Sequence, residues 1–270
     1  MLNDITVGQY IPGKSPVHRL DPRVKILLCI FYIVAVFVAK EFWMYAVFAA
    51  YILGAALLAR VPLRVLLKSI RPLLFIVAFT VIMNVLLVHE GDLLLEWWKI
   101  RIYSGGLIYA ARLAIRLVLL VFGTSMLTLT TSPISLTDAL ERLMKPLAAI
   151  RFPAHELAMM MTIALRFIPT LLEETDKIMK AQKARGADFD TGGVFKRAKA
   201  LVPLLVPLFV NAFRRADELA MAMECRCYHG GEGRTRLKVL KFGALDVKCA
   251  VVLTLCLAVI LSTRWLMAGI

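Results

Sequence analysis

The sequence predicts an all-α, polytopic membrane protein, with about five transmembrane helices and a cytoplasmic block of amphipathic coupling helices. Three observations carry this. Of 270 residues, 60% are hydrophobic and mean hydropathy is +0.75, whereas soluble domains are nearer half apolar. Several uncharged runs approach the ~18 residues that read as a membrane span. The net charge of +14 comes from Lys and Arg gathered between and after those runs, as in the cytoplasmic loops of membrane proteins. Such a charge on a soluble chain would suggest nucleic acid. No segment interleaves basic and aromatic residues in the way single strands require, so no nucleic-acid partner is expected.

The N-terminal stretch Met1 to Val17 is polar and lacks the apolar centre of a cleavable signal. The first apolar run, Ile26 to Ala39, spans only ~21 Å at 1.5 Å per residue, so it must borrow neighbouring residues or sit in a thinned bilayer. The second run, Phe42 to Ala59, follows after Lys40-Glu41 alone, which makes the two a tight helical hairpin. Arg60, Arg64, Lys68 and Arg71 form a basic loop without acidic residues. Leu73 to Val88 is the third span, broken only by Asn84, and its following loop carries Trp97, Trp98 and Tyr103 as interface anchors. Leu107 to Thr131 holds the fourth span. Arg112 and Arg116 lie one turn apart in it, placed to snorkel to headgroups. Cys249 to Thr263 is the fifth. Ala200 to Phe213 is too short and too rich in proline to count as a sixth and reads as interfacial. The basic-loop bias puts the N-terminus in the cytoplasm and the C-terminus outside. Three divisions follow: residues 1–131 (N-terminal segment and spans one to four), 132–248 (cytoplasmic coupling helices) and 249–270 (the last span).

The middle division is amphipathic and basic, with Pro146, Pro153, Pro169, Pro203 and Pro207 punctuating it. Ser132-Pro133 is an N-cap and first-turn pair. One helix runs through Ile168, Leu171, Leu172, Ile178 and Met179, with Glu173, Glu174 and Asp176 early and Lys177, Lys180, Lys183 and Arg185 late. That order complements the helix dipole, and Gly186 suits a left-handed stop. A second helix runs from Leu208 to Met223 and ends near Arg226, with Gly230-Gly231 beyond. Each arginine could cap its own helix. Two such ends in one block are better explained by a planar five-donor fork presented to carboxylates on a soluble partner.

Four stretches carry a family resemblance: "GQYIPGKSPVHRLDPRVK", "LTTSPISLTDALERLMKPL", "ALRFIPTLLEETDKIMKAQKARGADF" and "RRADELAMAMECRCYHGGEGRTRLK". They resemble the transmembrane T component of energy-coupling factor transporters, over nearly the whole chain. The resemblance implies a bacterial or archaeal cell-membrane complex of this chain, two ABC-type ATPase subunits and a small membrane subunit that captures a vitamin or metal ion. It implies no catalysis and no cofactor on this chain, ATP and Mg being held by the ATPases. Two Ala-Arg-Gly motifs would end two crossed helices, each arginine docking on one ATPase. Ala184-Arg185-Gly186 matches in full, whereas Cys225-Arg226-Cys227 keeps only the arginine. The second helix must then stop near Gly230, or Cys227 must adopt a left-handed conformation. Met159, Met160 and Met161 are candidate contacts for one or several capture subunits, because methionine surfaces repack readily. A conventional permease with its own solute site, a membrane-embedded lipid-modifying enzyme and a bare anchor are the competing readings.

Three further motifs point elsewhere. Gly8 to Ser15 matches the phosphate-loop pattern, but Pro22 follows closely and no strand–helix domain surrounds it. His155-Glu156 opens a zinc-protease pattern whose second histidine position is Met159. Cys225, Cys227 and His229 have no standard zinc spacing and no fourth ligand.

Overall fold

The computed structural model describes residues 10–39, 41–97, 100–146, 152–187, 189, 193–230, 243–252 and 254. Among them the helices are α1 (Pro16–Arg19), α2 (Pro22–Val38), α3 (Phe42–Ala59), α4 (Leu63–Ile70), α5 (Leu74–Leu87), α6 (Ser104–Thr130), α7 (Pro133–Met144), α8 (Ala154–Ala184) and α9 (Val194–Glu224). A further helix covers 244–252. The chain divides into two compact units, residues 8–139 with 240–270, and residues 1–7 with 140–239.

In the first of these units, α2 starts on Asp21, whose side chain accepts the Arg23 N–H, with Pro22 in the first turn. The Asp21 N–H donates to Asp246 Oδ1 at 2.8 Å, and Gly243 N–H donates to Asp246 Oδ2 at 2.7 Å. Buried Lys25 donates to the Thr130 carbonyl at 2.9 Å and to Thr131 Oγ1 at 3.3 Å. The starts of α2 and the 244–252 helix are thus tied to the end of α6 by polar groups that satisfy helix ends. Above this knot the core is apolar: Tyr32, Ala35 and Val36 of α2, Met44, Tyr45, Phe48, Ile52 and Ala56 of α3, and Leu119, Met126 and Leu129 of α6. Tyr32 packs edge-on against Phe48 with centroids 5.6 Å apart, and donates its hydroxyl to the Leu119 carbonyl at 3.0 Å. Gly123, one turn later on α6, lies under the Tyr32 ring where a Cβ would collide with it.

Among the described residues, four helical stretches are long and apolar enough to cross a bilayer: Phe42–Ala59, Leu63–Leu87, Ser104–Thr130 and Ala154–Ala184, the last within the division expected to be cytoplasmic. α2, at 17 residues, has the shortness its sequence implied. Most of the fifth expected span, Cys249 to Thr263, lies outside the described residues. Two expectations need correction. Arg60 to Arg71 is not a loop. Arg64 and Lys68 sit four apart on α4, with Leu66 buried on the other side, and a 3-10 turn at Arg71–Leu73 joins α4 to α5. The segment after α5 is a hairpin, β1 (Leu93–Trp97) antiparallel to β2 (Ile100–Tyr103), with Gly91 at φ 89°. Tyr103 meets His89 edge-on at 5.2 Å, while Trp98 lies outside the described residues.

Arg116 does not snorkel. Its Nη2 donates to the Ala39 carbonyl and to Tyr45 Oη, both at 3.0 Å, and its guanidinium lies over Phe37. Tyr45 Oη itself donates to the Ala39 carbonyl at 2.9 Å. The arginine therefore closes the turn between α2 and α3 together with Tyr45. Arg112 lies over Phe42 at 5.5 Å.

The N-terminal phosphate-loop match is used structurally. Ser15 caps α1 by accepting the His18 N–H, its hydroxyl pairs with His18 Nδ1 at 2.7 Å, and His18 Nε2 reaches the Ile11 carbonyl at 3.0 Å.

Candidate functional site: two arginine-tipped helix ends

α8 and α9 form an antiparallel pair in the unit that holds 140–239. Glu174 of α8 accepts from Asn211 Nδ2 at 2.8 Å and pairs with Arg215 Nη2 at 3.3 Å. About two turns further along α8, Gln182 Nε2 donates to the Pro203 carbonyl at 3.4 Å. That carbonyl is available because its ordinary partner, four residues later, is Pro207, which has no N–H. Pro169, Pro203 and Pro207 punctuate the sequence here, yet both helices run through them as 31-residue elements. A single lost backbone bond is offset at this point by a side chain from the neighbouring helix.

Each helix ends in the same hydrogen-bonded motif. At α8, Gly186 has φ 86°, its N–H donates to the Lys183 carbonyl at 3.0 Å, and Ala187 N–H donates to the Gln182 carbonyl at 3.0 Å. At α9, Cys227 has φ 53°, its N–H donates to the Glu224 carbonyl at 2.8 Å, and Tyr228 N–H donates to the Met223 carbonyl at 3.1 Å. Both are Schellman closures. Of the two alternatives for the missing second glycine, the cysteine takes the left-handed conformation, at a cost of roughly 1–2 kcal/mol.

Arg185 and Arg226 occupy equivalent places, immediately before the left-handed residue. Both are exposed. Among the described residues, neither guanidinium makes a side-chain hydrogen bond or ion pair. Both arginine amides bond back within their own turn, to Gln182 and to Met223. Carbonyls that a folded-back arginine would have used are already taken by backbone N–H groups. The antiparallel arrangement also separates the tips. Arg185 lies close to the level of Pro203, whereas Arg226 is ~34 Å further along α9 at 1.5 Å per residue.

Ala184, Gly186, Cys225 and Cys227 are exposed beside the two arginines. Cys225, Cys227 and His229 do not assemble into a metal-holding group among the described residues. Met160 and Met161 are exposed on α8 and Met159 is half-buried, so the three do not present one face. Gly231 and Asp188 lie outside the described residues.

One constellation was not legible in the sequence. His155, in the first turn of α8, places Nδ1 2.9 Å from Glu141 Oε1 of α7 and Nε2 3.4 Å from Tyr228 Oη. The three positions are far apart in the chain, and no spacing rule connects them.

Comparison with known proteins decides the family. The family model described as CbiQ, cobalt transport protein, matches residues 13–237. A protein of Clostridium kluyveri is 52% identical over 269 residues, covering 98% of this chain and 99% of its own length. Its name is energy-coupling factor transporter transmembrane protein EcfT. The chain belongs to this transporter transmembrane family. Relatives of the same name include one from Bacillus subtilis, 47% identical over 264 residues, covering 98% of this chain and 100% of its own. Another, from Thermosediminibacter oceani, is 54% identical over 246 residues, covering 91% of this chain and 92% of its own. This family member is accordingly a multi-pass membrane protein, and its apolar helices fit that class.

Proposed function

We propose that this chain is the non-catalytic coupling subunit of an energy-coupling factor transporter. Two ABC-type ATPase subunits dock on Arg185 and Arg226 and bind the ATP and Mg. A small membrane subunit captures the vitamin or metal ion, and α8 and α9 carry the ATPases' motion to it. The N-terminus and residues 132–248 face the cytoplasm, and Met160 and Met161 are offered to the capture subunit. One observation supports this above the others: two helix ends with the same backbone closure, at opposite ends of one antiparallel pair, each present an exposed guanidinium that makes no side-chain hydrogen bond or ion pair among the described residues. Such a fork suits bidentate pairing with a carboxylate. The separation suits two partner grooves and does not suit one.

The test is the assembly of the tagged chain with its ATPases after Arg185→Ala, Arg226→Ala and the double change. Removing one partner of a buried, hydrogen-bonded charge pair costs ~2–5 kcal/mol, so each single variant should weaken docking at least roughly 30-fold. Arg→Lys should lose a substantial part of it, because an ammonium lacks the planar fork. Assembly and ATP-driven uptake near normal in the double alanine variant would refute the reading.

A further inference from the structure

The two tips share their backbone closure but differ in what holds them. The residue after the left-handed position is Ala187 at the α8 tip and Tyr228 at the α9 tip. Ala187 has only its backbone to contribute. Tyr228 closes the turn through its N–H and also reaches sideways to His155 Nε2 at 3.4 Å. His155 is fixed in turn by Glu141 Oε1 at 2.9 Å, with both side chains largely shielded from solvent. A carboxylate only accepts, so the proton between them sits on Nδ1. In the neutral imidazole Nε2 then accepts the tyrosine hydroxyl proton, and donation runs from Tyr228 to His155 and from His155 to Glu141. They join the end of α9 to the first turn of α8 and to α7, which in the chain follows α6 after Thr131 and Ser132.

We infer that Tyr228, acting through His155 and Glu141, is a positioning residue that fixes the direction of the Arg226 tip. The α9 end is fastened to two other helices and moves with them. This rests on the docking role proposed for Arg226.

The experiment uses the native complex purified through a tag on the full-length chain. A spin label is placed on Cys225, with Cys29, Cys227, Cys249 and Cys256 changed to Ala. In Tyr228→Phe the ATPases should still co-purify and the thermal midpoint should stay within about two degrees. The label should become more mobile, and ATP turnover of the complex should fall roughly three- to tenfold. His155→Asn keeps an amide toward Glu141 and offers nothing to Tyr228. It should show the same loss, and adding Tyr228→Phe to it should change nothing further, since groups acting as one unit are not additive. Glu141→Gln still accepts the Nδ1 proton and should retain at least half the turnover, whereas Glu141→Ala should not.

Unchanged label mobility and turnover in Tyr228→Phe overturn the inference. So does loss of folding or co-purification in that variant, which would make the hydroxyl a folding element alone. Arg226→Ala separates the two readings. If it is damaging while Tyr228→Phe is silent, only the fastening fails. If Arg226→Ala leaves co-purification and turnover intact, the docking reading has failed and the fastening falls with it.

Discussion

Changing Gly123 to Ala should destabilise the membrane unit, although the same change at Gly54 should stabilise it. A Cβ at Gly123 would lie 2.6 Å from Tyr32 Cδ1 and nearer still to Cε1. The Tyr32 ring is held on several sides. It is buried, edge-on to Phe48, stacked on Tyr51 at 6.3 Å, and held through its hydroxyl to the Leu119 carbonyl. Forcing a methyl into a filled site costs ~1–3 kcal/mol. Displacing the ring adds about 1 kcal/mol for the hydrogen bond and ~0.5–1.5 for the aromatic pair. Replacing a mid-helix glycine by alanine returns ~1 kcal/mol of propensity. The balance is a net loss of roughly 1.5–4.5 kcal/mol, or ~3–18 °C in thermal midpoint on the scale of soluble domains of similar length.

Gly54, in the interior of α3, has nothing within 4 Å of the Cβ position. Gly54→Ala should therefore gain up to ~1 kcal/mol. Thermal unfolding of both variants in one detergent, followed by tryptophan fluorescence, makes the comparison. Tyr32→Leu combined with Gly123→Ala should recover only the steric part, ~1–3 kcal/mol, because the hydrogen bond and aromatic contacts of Tyr32 are lost either way. If Gly123→Ala proves as stable as Gly54→Ala, the packing assigned to α2 and α6 is wrong.

Arg116→Leu should lower stability by about 2–4 kcal/mol, since it removes two charged hydrogen bonds at the α2–α3 turn. Arg116→Lys should recover less than half in the same unfolding assay. At the helix ends the two left-handed positions should respond with opposite signs. Gly186→Ala should cost ~1 kcal/mol of local stability and speed amide exchange at Ala187. Cys227→Gly should slow exchange at Tyr228 by relieving backbone strain, leaving the Arg226 charge where it is. Equal exchange in both variants and the parent would refute the shared closure.

The elements whose signals are local were readable in the sequence. Ser132 caps α7 through the Ser135 N–H at 3.3 Å, with Pro133 as the first helical residue. Gly186 ends α8 as a left-handed stop, and α3 occupies Phe42–Ala59 as its apolar run implies. What escaped depended on neighbours. Pro207 would break an isolated helix, but Gln182 from α8 occupies the carbonyl it leaves. The basic run after Arg60 reads as a loop by charge, yet Arg64 and Lys68 recur at the helical interval with Leu66 turned inward. Arg116 could reach headgroups or a backbone carbonyl, and only the fold brings Ala39 within 3.0 Å. At the site, the arginines and the first motif were legible because helix-end chemistry is local. The Glu141, His155 and Tyr228 line was not, because two helices and the turn beyond a third supply it.

None of the fourteen side chains of α5 is fully enclosed by the rest of the chain, and Leu74, Phe75, Ile76, Phe79, Ile82 and Leu87 lie open. In water such a surface would drive precipitation. Among acyl chains it has no such drive, because lipid tails are as apolar as leucine. Trading a lipid for a protein neighbour on that flank therefore gains nothing from hydrophobicity. Any lodger there is held by shape alone and by how crowded the plane of the bilayer is, and it can leave as readily as it came.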